Sequence, residues 1–248
     1  MSRSTPWLEH FTEKENASLH LLAFPHAGGA AHFFRPLTRH MPHDVALSAV
    51  QLPGRWNRSA ETAATSIDLL LPELLKGIRP ALQQPYVFFG HSLGALLAYS
   101  LSRQLFAEAE LLPRLLVVSA SPLHTDAINQ LLQLSDQGLV EELRKKFGGL
   151  PEELVAEPDM LKFIIPTIRA DLTLAASFQF RPGPLLPCPL LAIGGTQDTT
   201  TRPEELYTWR KVTSAKFSLH LFEGGHFYLE KHFADIAQLL TASFQTSA

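Results

Sequence analysis

The chain has 248 residues, of which 46% are hydrophobic and 18% charged, and its formal net charge is −3. This length and composition predict one globular domain over residues 1–248 and exclude a disordered chain. The small negative charge, without a basic stripe, argues against a nucleic-acid-binding protein. No apolar run reaches the ~20 residues that a membrane-spanning helix needs. The single cysteine, Cys188, and the absence of a signal-peptide core favour a cytoplasmic location.

Short apolar runs alternate with helical patterns along the chain, which predicts an α/β protein with a mostly parallel central sheet flanked by helices. Strands are expected at residues 19–24, 45–52, 86–89, 115–119, 189–193 and 217–222. Helices are expected after residue 30, at about 66–82, from 93 to about 106, and at about 233–244.

The pattern changes between two of these strands, over residues 121–188. This segment has helical periodicity and no convincing strand, and Pro151, Pro158 and Pro166 are expected to break it into short pieces. It is much longer than an ordinary connection, so we interpret it as a helical lid insertion. The alternative is a plain crossover with extra helices.

The pentapeptide GHSLG at residues 90–94 is the clearest catalytic motif. A β-prone run precedes it and a helix-forming run follows it, as in the nucleophile elbow of the α/β-hydrolase fold. Such a turn raises the Ser92 hydroxyl above the sheet edge at the start of a helix. A simple helix-capping role for Ser92 is the alternative.

A serine nucleophile needs a base and an acid, which follow it along the chain in the order Ser, acid, His in this fold. His226 comes after the last predicted strand and two glycines, and Asp198 comes after the preceding strand. Asp171 is the rival acid, although it lies in the insertion. These positions predict the triad Ser92, Asp198 and His226. His26 and Phe227 are expected to line the substrate pocket.

Stabilising the tetrahedral oxygen requires two N–H donors. The backbone N–H of Leu93, directly after the nucleophile, is one candidate. The other is Ala27 in the Gly-rich turn, residues 25–30. This turn matches neither dinucleotide-binding nor P-loop spacing, and no metal-ligand spacing is present, so we predict neither a cofactor nor a metal.

The sequence blocks together resemble type II thioesterases, the stand-alone partners of nonribosomal peptide and polyketide synthases. The blocks are AFPHAGG at 23–29, QLPGR at 51–55, GHSLGA at 90–95, GG at 194–195 with Asp198, and GGHF at 224–227. The resemblance spans nearly the whole chain, and Arg169-Ala170-Asp171 is similar to a further family motif. One departure is Thr199, where family members often have proline.

The resemblance implies hydrolysis of acyl thioesters on the phosphopantetheine arm of an acyl- or peptidyl-carrier protein, with editing of misprimed or stalled synthases as the usual role. It places Ser92, Asp198 and His226 on the triad, and Ala27 and Leu93 on the oxyanion donors.

Two alternatives stay open. One is a carboxylesterase or other serine hydrolase acting on small acyl esters or acyl-CoA, and the other is a non-catalytic binding protein. We expect a monomer. Carrier proteins tend to be acidic, so Arg35, Arg39, Arg55 and Arg58 are candidates for docking.

Overall fold

A seven-stranded sheet forms the centre of the protein in a computed structural model, which describes residues 5–12, 17–125, 128–148 and 158–245. The strands in chain order are β1 Leu8–His10, β2 Leu19–Phe24, β3 Val45–Val50, β4 Tyr86–His91, β5 Leu115–Ser119, β6 Leu190–Gly195 and β7 Phe217–Phe222. Their spatial order is β1-β3-β2-β4-β5-β6-β7. Only β1 runs antiparallel to its neighbour, so the predicted mostly parallel sheet is confirmed.

The helices cover both faces of this sheet. They are α1 Ile67–Ile78, α2 Leu93–Ala107, α3 Ile128–Leu132, α4 Asp136–Phe147, α5 Pro158–Ala176, α6 Pro203–Tyr207 and α7 Leu229–Gln245, with further 3-10 turns such as Ala31–Arg39. One core packs α1 and α2 on the sheet, and a second packs the Ala31–Arg39 turn and α7 on the opposite face. Every residue of β2, β3 and β4 is buried, as expected for parallel strands that are covered on both faces.

The predicted elements are confirmed with small differences at their ends. β3 stops at Val50 rather than residue 52, and the predicted 66–82 helix divides into α1 and a 3-10 turn, Arg79–Leu82. α7 begins at Leu229 but has a non-helical kink at His232, so its regular part starts where the sequence predicts.

The insertion contains α3, α4 and α5 and has its own small hydrophobic cluster around Leu139, Ile168 and Leu172. The expected break at Pro166 is wrong, because α5 continues through that residue for 19 residues. Ile165 and Ile168 are buried on either side of the proline, and this packing offsets the lost backbone hydrogen bond. Pro158 stands at the first position of α5, where proline is tolerated. Pro151 lies outside the described residues.

Among the described residues, no helix combines the length and the apolar character needed to cross a membrane.

Candidate active site

Ser92 occupies a sharp turn between the end of β4 and the start of α2. Its backbone has φ +55° and ψ −119°, a conformation that is strained for any residue other than glycine. The turn is tight because α2 packs directly on the end of β2, where a Cβ on Gly94 would lie only 1.9 Å from the Phe24 carbonyl oxygen. The Ser92 N–H donates to the Ser119 carbonyl at 2.8 Å, which ties the turn to β5. The partly exposed Ser92 side chain therefore lies at the carboxyl edge of the sheet.

His226 and Asp198 meet at the same edge, after the neighbouring parallel strands β7 and β6. The distance from His226 Nδ1 to Asp198 Oδ2 is 2.8 Å, and both side chains are buried. Burial alone would raise the pKa of Asp198, but hydrogen bonds from His226 and Thr200 and the charge of His226 outweigh it and lower that pKa. An ionised carboxylate on Nδ1 holds the imidazole in the tautomer that leaves Nε2 free to accept a proton.

Thr200, which none of the sequence motifs singled out, completes the hydrogen bonding of Asp198. Its N–H and its hydroxyl both donate to Asp198 Oδ1, at 2.8 and 2.7 Å, and the Thr201 N–H adds a contact at 3.2 Å. An aspartate whose side chain accepts from the residues that follow it is a common turn, so the D-x-T spacing was an available signal. The Asp198 carboxylate is thus fixed on both oxygens.

The imidazole of His226 lies beside the turn that carries the nucleophile. Its ring centroid is 5.2 Å from that of His91, the residue directly before Ser92. No hydrogen bond joins Ser92 to His226 among the residues that the structure describes. Catalytic hydrogen bonds are often long in an empty site and shorten when substrate is bound, so the arrangement is compatible with a nucleophile and its base.

The two backbone donors expected from the sequence lie on adjoining segments. Leu93 is the first residue of α2, and Ala27 lies in the Gly-rich turn after β2, which α2 contacts through Gly94. Within the described part of the chain, neither the Leu93 nor the Ala27 N–H donates to a protein acceptor. Both are therefore available to a developing oxyanion.

Aromatic side chains form one wall beside His226. The His26 ring packs edge-on against Phe227 at 4.8 Å and Phe33 at 4.6 Å, and Phe227 lies 5.3 Å from His226. The structure thus brings His26 and Phe227 together next to the base. Burial, with a smaller contribution from the charge of His226, lowers the pKa of His26 from 6.5 to about 3. His26 is therefore a neutral, apolar-like part of the wall at physiological pH.

His91 packs against the rings of His226, His26 and Phe227, but a hydrogen bond within the fold engages its Nδ1. Its Nδ1 is 2.8 Å from the Ser119 hydroxyl, which is in turn 2.7 Å from the Tyr228 hydroxyl. Burial lowers the pKa of His91 well below its usual value. This chain of buried hydrogen bonds links the end of β4 to the end of β5 and to Tyr228. His226 is therefore the candidate base.

The insertion reaches the site through Phe147, the last residue of α4. Its ring is perpendicular to the His226 imidazole, with centroids 4.8 Å apart. Nothing in the sequence distinguished Phe147 from other apolar helix residues, because the contact depends on how the insertion folds back.

Asp171, the rival acid, is bound to Arg55 and makes no hydrogen bond with His226 among the described residues. It is fully buried and binds Arg55 through two hydrogen bonds of 2.6 Å. This arrangement brings together two sequence blocks, QLPGR and Arg169-Ala170-Asp171, whose relation was not apparent from the sequence.

Comparison with known proteins identifies the family of the chain. Residues 19–244 match the family model of the thioesterase domain. The type II thioesterase BorB, from the borrelidin biosynthetic cluster, has a similar structure, with a TM-score of 0.87 and 34% identity over 98% of this chain and 100% of BorB. Thioesterase PikA5 of Streptomyces venezuelae is 32% identical over 93% of this chain and 82% of that protein.

A further relative is the linear gramicidin dehydrogenase LgrE of Brevibacillus parabrevis. It is 32% identical over 97% of this chain and 93% of that protein. The present sequence contains no G-x-G triplet and hence no dinucleotide-binding fingerprint.

Proposed function

The chain belongs to the thioesterase family, and we propose that it hydrolyses acyl thioesters on the phosphopantetheine arm of carrier proteins with Ser92, His226 and Asp198 as its triad. The observation that carries this proposal is the strained serine turn beside a buried histidine–carboxylate pair. The match to the thioesterase family model covers six of the seven strands, including every strand that ends at the site.

Acylation begins with attack of Ser92 Oγ on the thioester carbonyl carbon, while His226 Nε2 takes the hydroxyl proton. The carbonyl oxygen becomes an oxyanion, which the N–H groups of Ala27 and Leu93 stabilise. The carbon–sulfur bond then breaks, the proton on His226 passes to the leaving sulfur, and the carrier thiol departs. The ionised Asp198 stabilises the imidazolium that exists between these steps.

Deacylation repeats the chemistry with water. His226 accepts a proton from the water molecule as its oxygen attacks the acyl carbon of the Ser92 ester. Collapse of the second tetrahedral intermediate returns that proton to Ser92 Oγ and releases a carboxylic acid. The thioester, the protein and one water molecule supply every atom and proton in the two steps, which together convert a thioester and water to a carboxylic acid and a thiol.

The biological role that we propose is editing, the removal of wrong or stalled acyl groups from a synthase. The relatives support it: BorB comes from a biosynthetic cluster, and both it and PikA5 are named as thioesterases. A monomer in the cytoplasm stays our expectation for this role.

The four arginines considered for docking of a carrier differ in their exposure. Arg55 and Arg58 are buried and paired with Asp171 and Glu61, whereas Arg35 and Arg39 are exposed and form no ion pair among the described residues. They line an open cleft of about 750 Å³ together with the exposed indole of Trp56. The cleft adjoins the end of β3. β3 lies two strands from the nucleophile strand β4, which is about 10 Å across the sheet. We therefore propose this cleft for the acidic carrier.

The test presents one acyl group in three forms: on a carrier protein, on coenzyme A and as a simple ester. We expect the highest kcat/KM on the carrier protein. Ser92→Ala should lower kcat by roughly 10³-fold or more without unfolding the protein, and it should abolish labelling by a fluorophosphonate probe. A higher kcat/KM on the ester would instead identify a carboxylesterase, and unlabelled folded wild-type protein would indicate a binding protein.

A matched histidine pair tests the base. His226→Gln should lose activity to a similar extent as Ser92→Ala. His232→Gln changes a nearby histidine that also contacts a carboxylate, Asp235 at 3.0 Å, in a pair whose carboxylate is exposed, and glutamine can still donate to the Glu223 carbonyl that His232 contacts. It should leave kcat within about twofold, since exposed charge pairs contribute little. Equal losses in the two variants would contradict the assignment of His226.

A further inference from the structure

A buried ion pair holds the Gly-rich turn from the side of the insertion. Asp171 lies in α5 and is fully inaccessible, and Arg55 lies in the turn after β3 with 5% of its side chain exposed. The carboxylate binds both terminal nitrogens of the guanidinium, each at 2.6 Å. Asp171 Oδ2 accepts a further hydrogen bond from the Gly28 N–H, also at 2.6 Å.

Arg55 holds the same turn through a second contact. Its Nη1 donates to the Gly29 carbonyl at 3.0 Å. The pair therefore fixes an N–H and a C=O on consecutive residues, directly after Ala27. α5 packs against the turn as well, because a Cβ on Gly28 would lie 2.8 Å from Ile168 Cγ1. Gly28 has φ +75°, so the turn depends on external contacts to keep this shape.

A contribution to folding stability does not by itself explain why a buried ion pair is present. Desolvating two charges costs about as much as their attraction returns, and well-packed apolar residues often replace a buried pair without loss. What apolar residues cannot replace is the hydrogen bond from Gly28 and the one to Gly29. Those bonds hold the peptide unit before Gly28 and the one after Gly29, and the unit that carries the Ala27 N–H adjoins the first of them across a single Cα.

We propose that Arg55 and Asp171 are positioning residues, which hold the Gly-rich turn so that the Ala27 N–H faces the oxyanion formed on Ser92. The proposal rests on the proposed function, because it assigns a role within the same site. It also makes α5 a fixed part of the catalytic framework rather than a mobile cover.

The decisive variant replaces both partners, Arg55→Met with Asp171→Leu. We expect its melting temperature to lie within a few degrees of that of the wild type, because no unpaired charge remains. Its kcat should fall about 10- to 100-fold with KM nearly unchanged, since a misdirected oxyanion donor costs less than the 10²–10³-fold of a removed one. Asp171→Asn keeps an acceptor for the Gly28 N–H and should recover part of that loss. If the double variant does not fold, the same measurements on Asp171→Asn test the proposal.

A binding measurement separates positioning from general damage. A boronic acid that forms a tetrahedral adduct on Ser92 should bind the double variant more weakly by the same factor as kcat falls. A non-hydrolysable thioether analogue of the substrate, which forms no oxyanion, should bind as it does to the wild type. Equal weakening of both ligands would overturn the proposal and make the pair a purely structural latch. So would a folded double variant with a kcat within twofold of the wild type.

The chain offers a matched control two residues from Asp171. Arg169 also anchors α5, but its Nε binds Asp136 of α4 at 2.7 Å rather than the Gly-rich turn. Arg169→Met with Asp136→Leu should leave the ratio of boronate to thioether affinity unchanged. Because the two affinities are measured without turnover, they still test the pair if the protein prefers esters to carrier-bound thioesters.

Discussion

Replacing Gly94 with alanine would separate the nucleophile turn from the strand on which it rests. The new Cβ would lie 1.9 Å from the Phe24 carbonyl oxygen and 2.8 Å from that of Pro25, whereas real Cβ contacts are not shorter than 3.0 Å. Both neighbours are backbone atoms, which cannot rotate away as a side chain can. The start of α2 must therefore withdraw by at least about 1 Å, and it carries Ser92 and Leu93 with it.

The expected magnitude follows from two opposing terms. Overpacking of a core costs about 1–3 kcal/mol, and rigid backbone neighbours put this site near 3. Alanine returns about 1 kcal/mol of helix propensity, which leaves a net loss of about 2 kcal/mol. For a chain of this size that loss lowers the melting temperature by about 4–8 °C. A displacement of 1 Å at the reacting groups costs about 10²-fold in kcat.

Thermal unfolding and thioester hydrolysis, measured on the same preparation, check the expected changes in melting temperature and in kcat. Gly225→Ala is the matched control, because Gly225 directly precedes His226 and its added Cβ would meet nothing within 4 Å. We expect that control to change neither quantity appreciably. A Gly94→Ala protein with wild-type melting temperature and kcat would refute the inference that the close approach of α2 to β2 sets the position of Ser92.

Three further results are expected. Thr200→Val removes the hydroxyl donor to Asp198 Oδ1 and should lower kcat about tenfold in hydrolysis assays, since a hydrogen bond to a charged group contributes about 1.5–3 kcal/mol. The unfolded state binds a proton at His26 below pH 6.5 while the folded state does so only near pH 3, so stability should fall as pH drops below 6.5. For His26 the loss at pH 5 is about 2 kcal/mol, and His26→Phe should remove it in denaturant titrations at pH 7.5 and 5. Arg35→Glu with Arg39→Glu should raise KM for the acyl-carrier substrate at least tenfold and leave acyl-N-acetylcysteamine hydrolysis unchanged.

Each of these has a control in the same chain. Thr200→Ser keeps the hydroxyl and should retain most of kcat. The exposed His43→Phe should keep the wild-type dependence of stability on pH. Arg210→Glu with Lys211→Glu reverses two exposed charges outside the cleft and should not affect KM for the carrier. An unchanged carrier KM in the cleft variant would remove the cleft from consideration as the docking surface.

The sheet could be predicted from the sequence because its strands are buried on both faces and appear as continuous apolar runs. β1 was missed because it has only three residues, one of them buried, and pairs antiparallel with β3 at the sheet edge. No local pattern marks such a strand. The prediction of a break at Pro166 was wrong although the local pattern was strong. The burial of the neighbouring residues outweighed the tendency of proline to end a helix.

The site divides in the same way. Ser92, Asp198 and His226 each follow a predicted strand, so chain order and turn chemistry were enough to select them. The partners of Asp171 were not predictable, because its contact with Arg55 joins positions 116 residues apart. The contact of Phe147 with His226 likewise exists only once the insertion has folded over the sheet. Sequence patterns therefore predict the residues at the strand ends, but they do not predict the contacts of the insertion, because tertiary contacts position it.

Those tertiary contacts are unequal at the two ends of the insertion, which predicts where it moves. α5 is fixed by the fully buried Asp171, whereas the end of α4 that contacts His226 is held by the half-buried Phe147. The middle of α4 is anchored by the buried Leu139. Opening the last turn of α4 therefore exposes His226 at low cost, while moving α5 would leave a buried charge unpaired. Amide hydrogen exchange should be much faster across the last turn of α4, residues 144–147, than across the second half of α5, residues 168–176. Equal protection of the two segments would contradict this assignment of the mobile end.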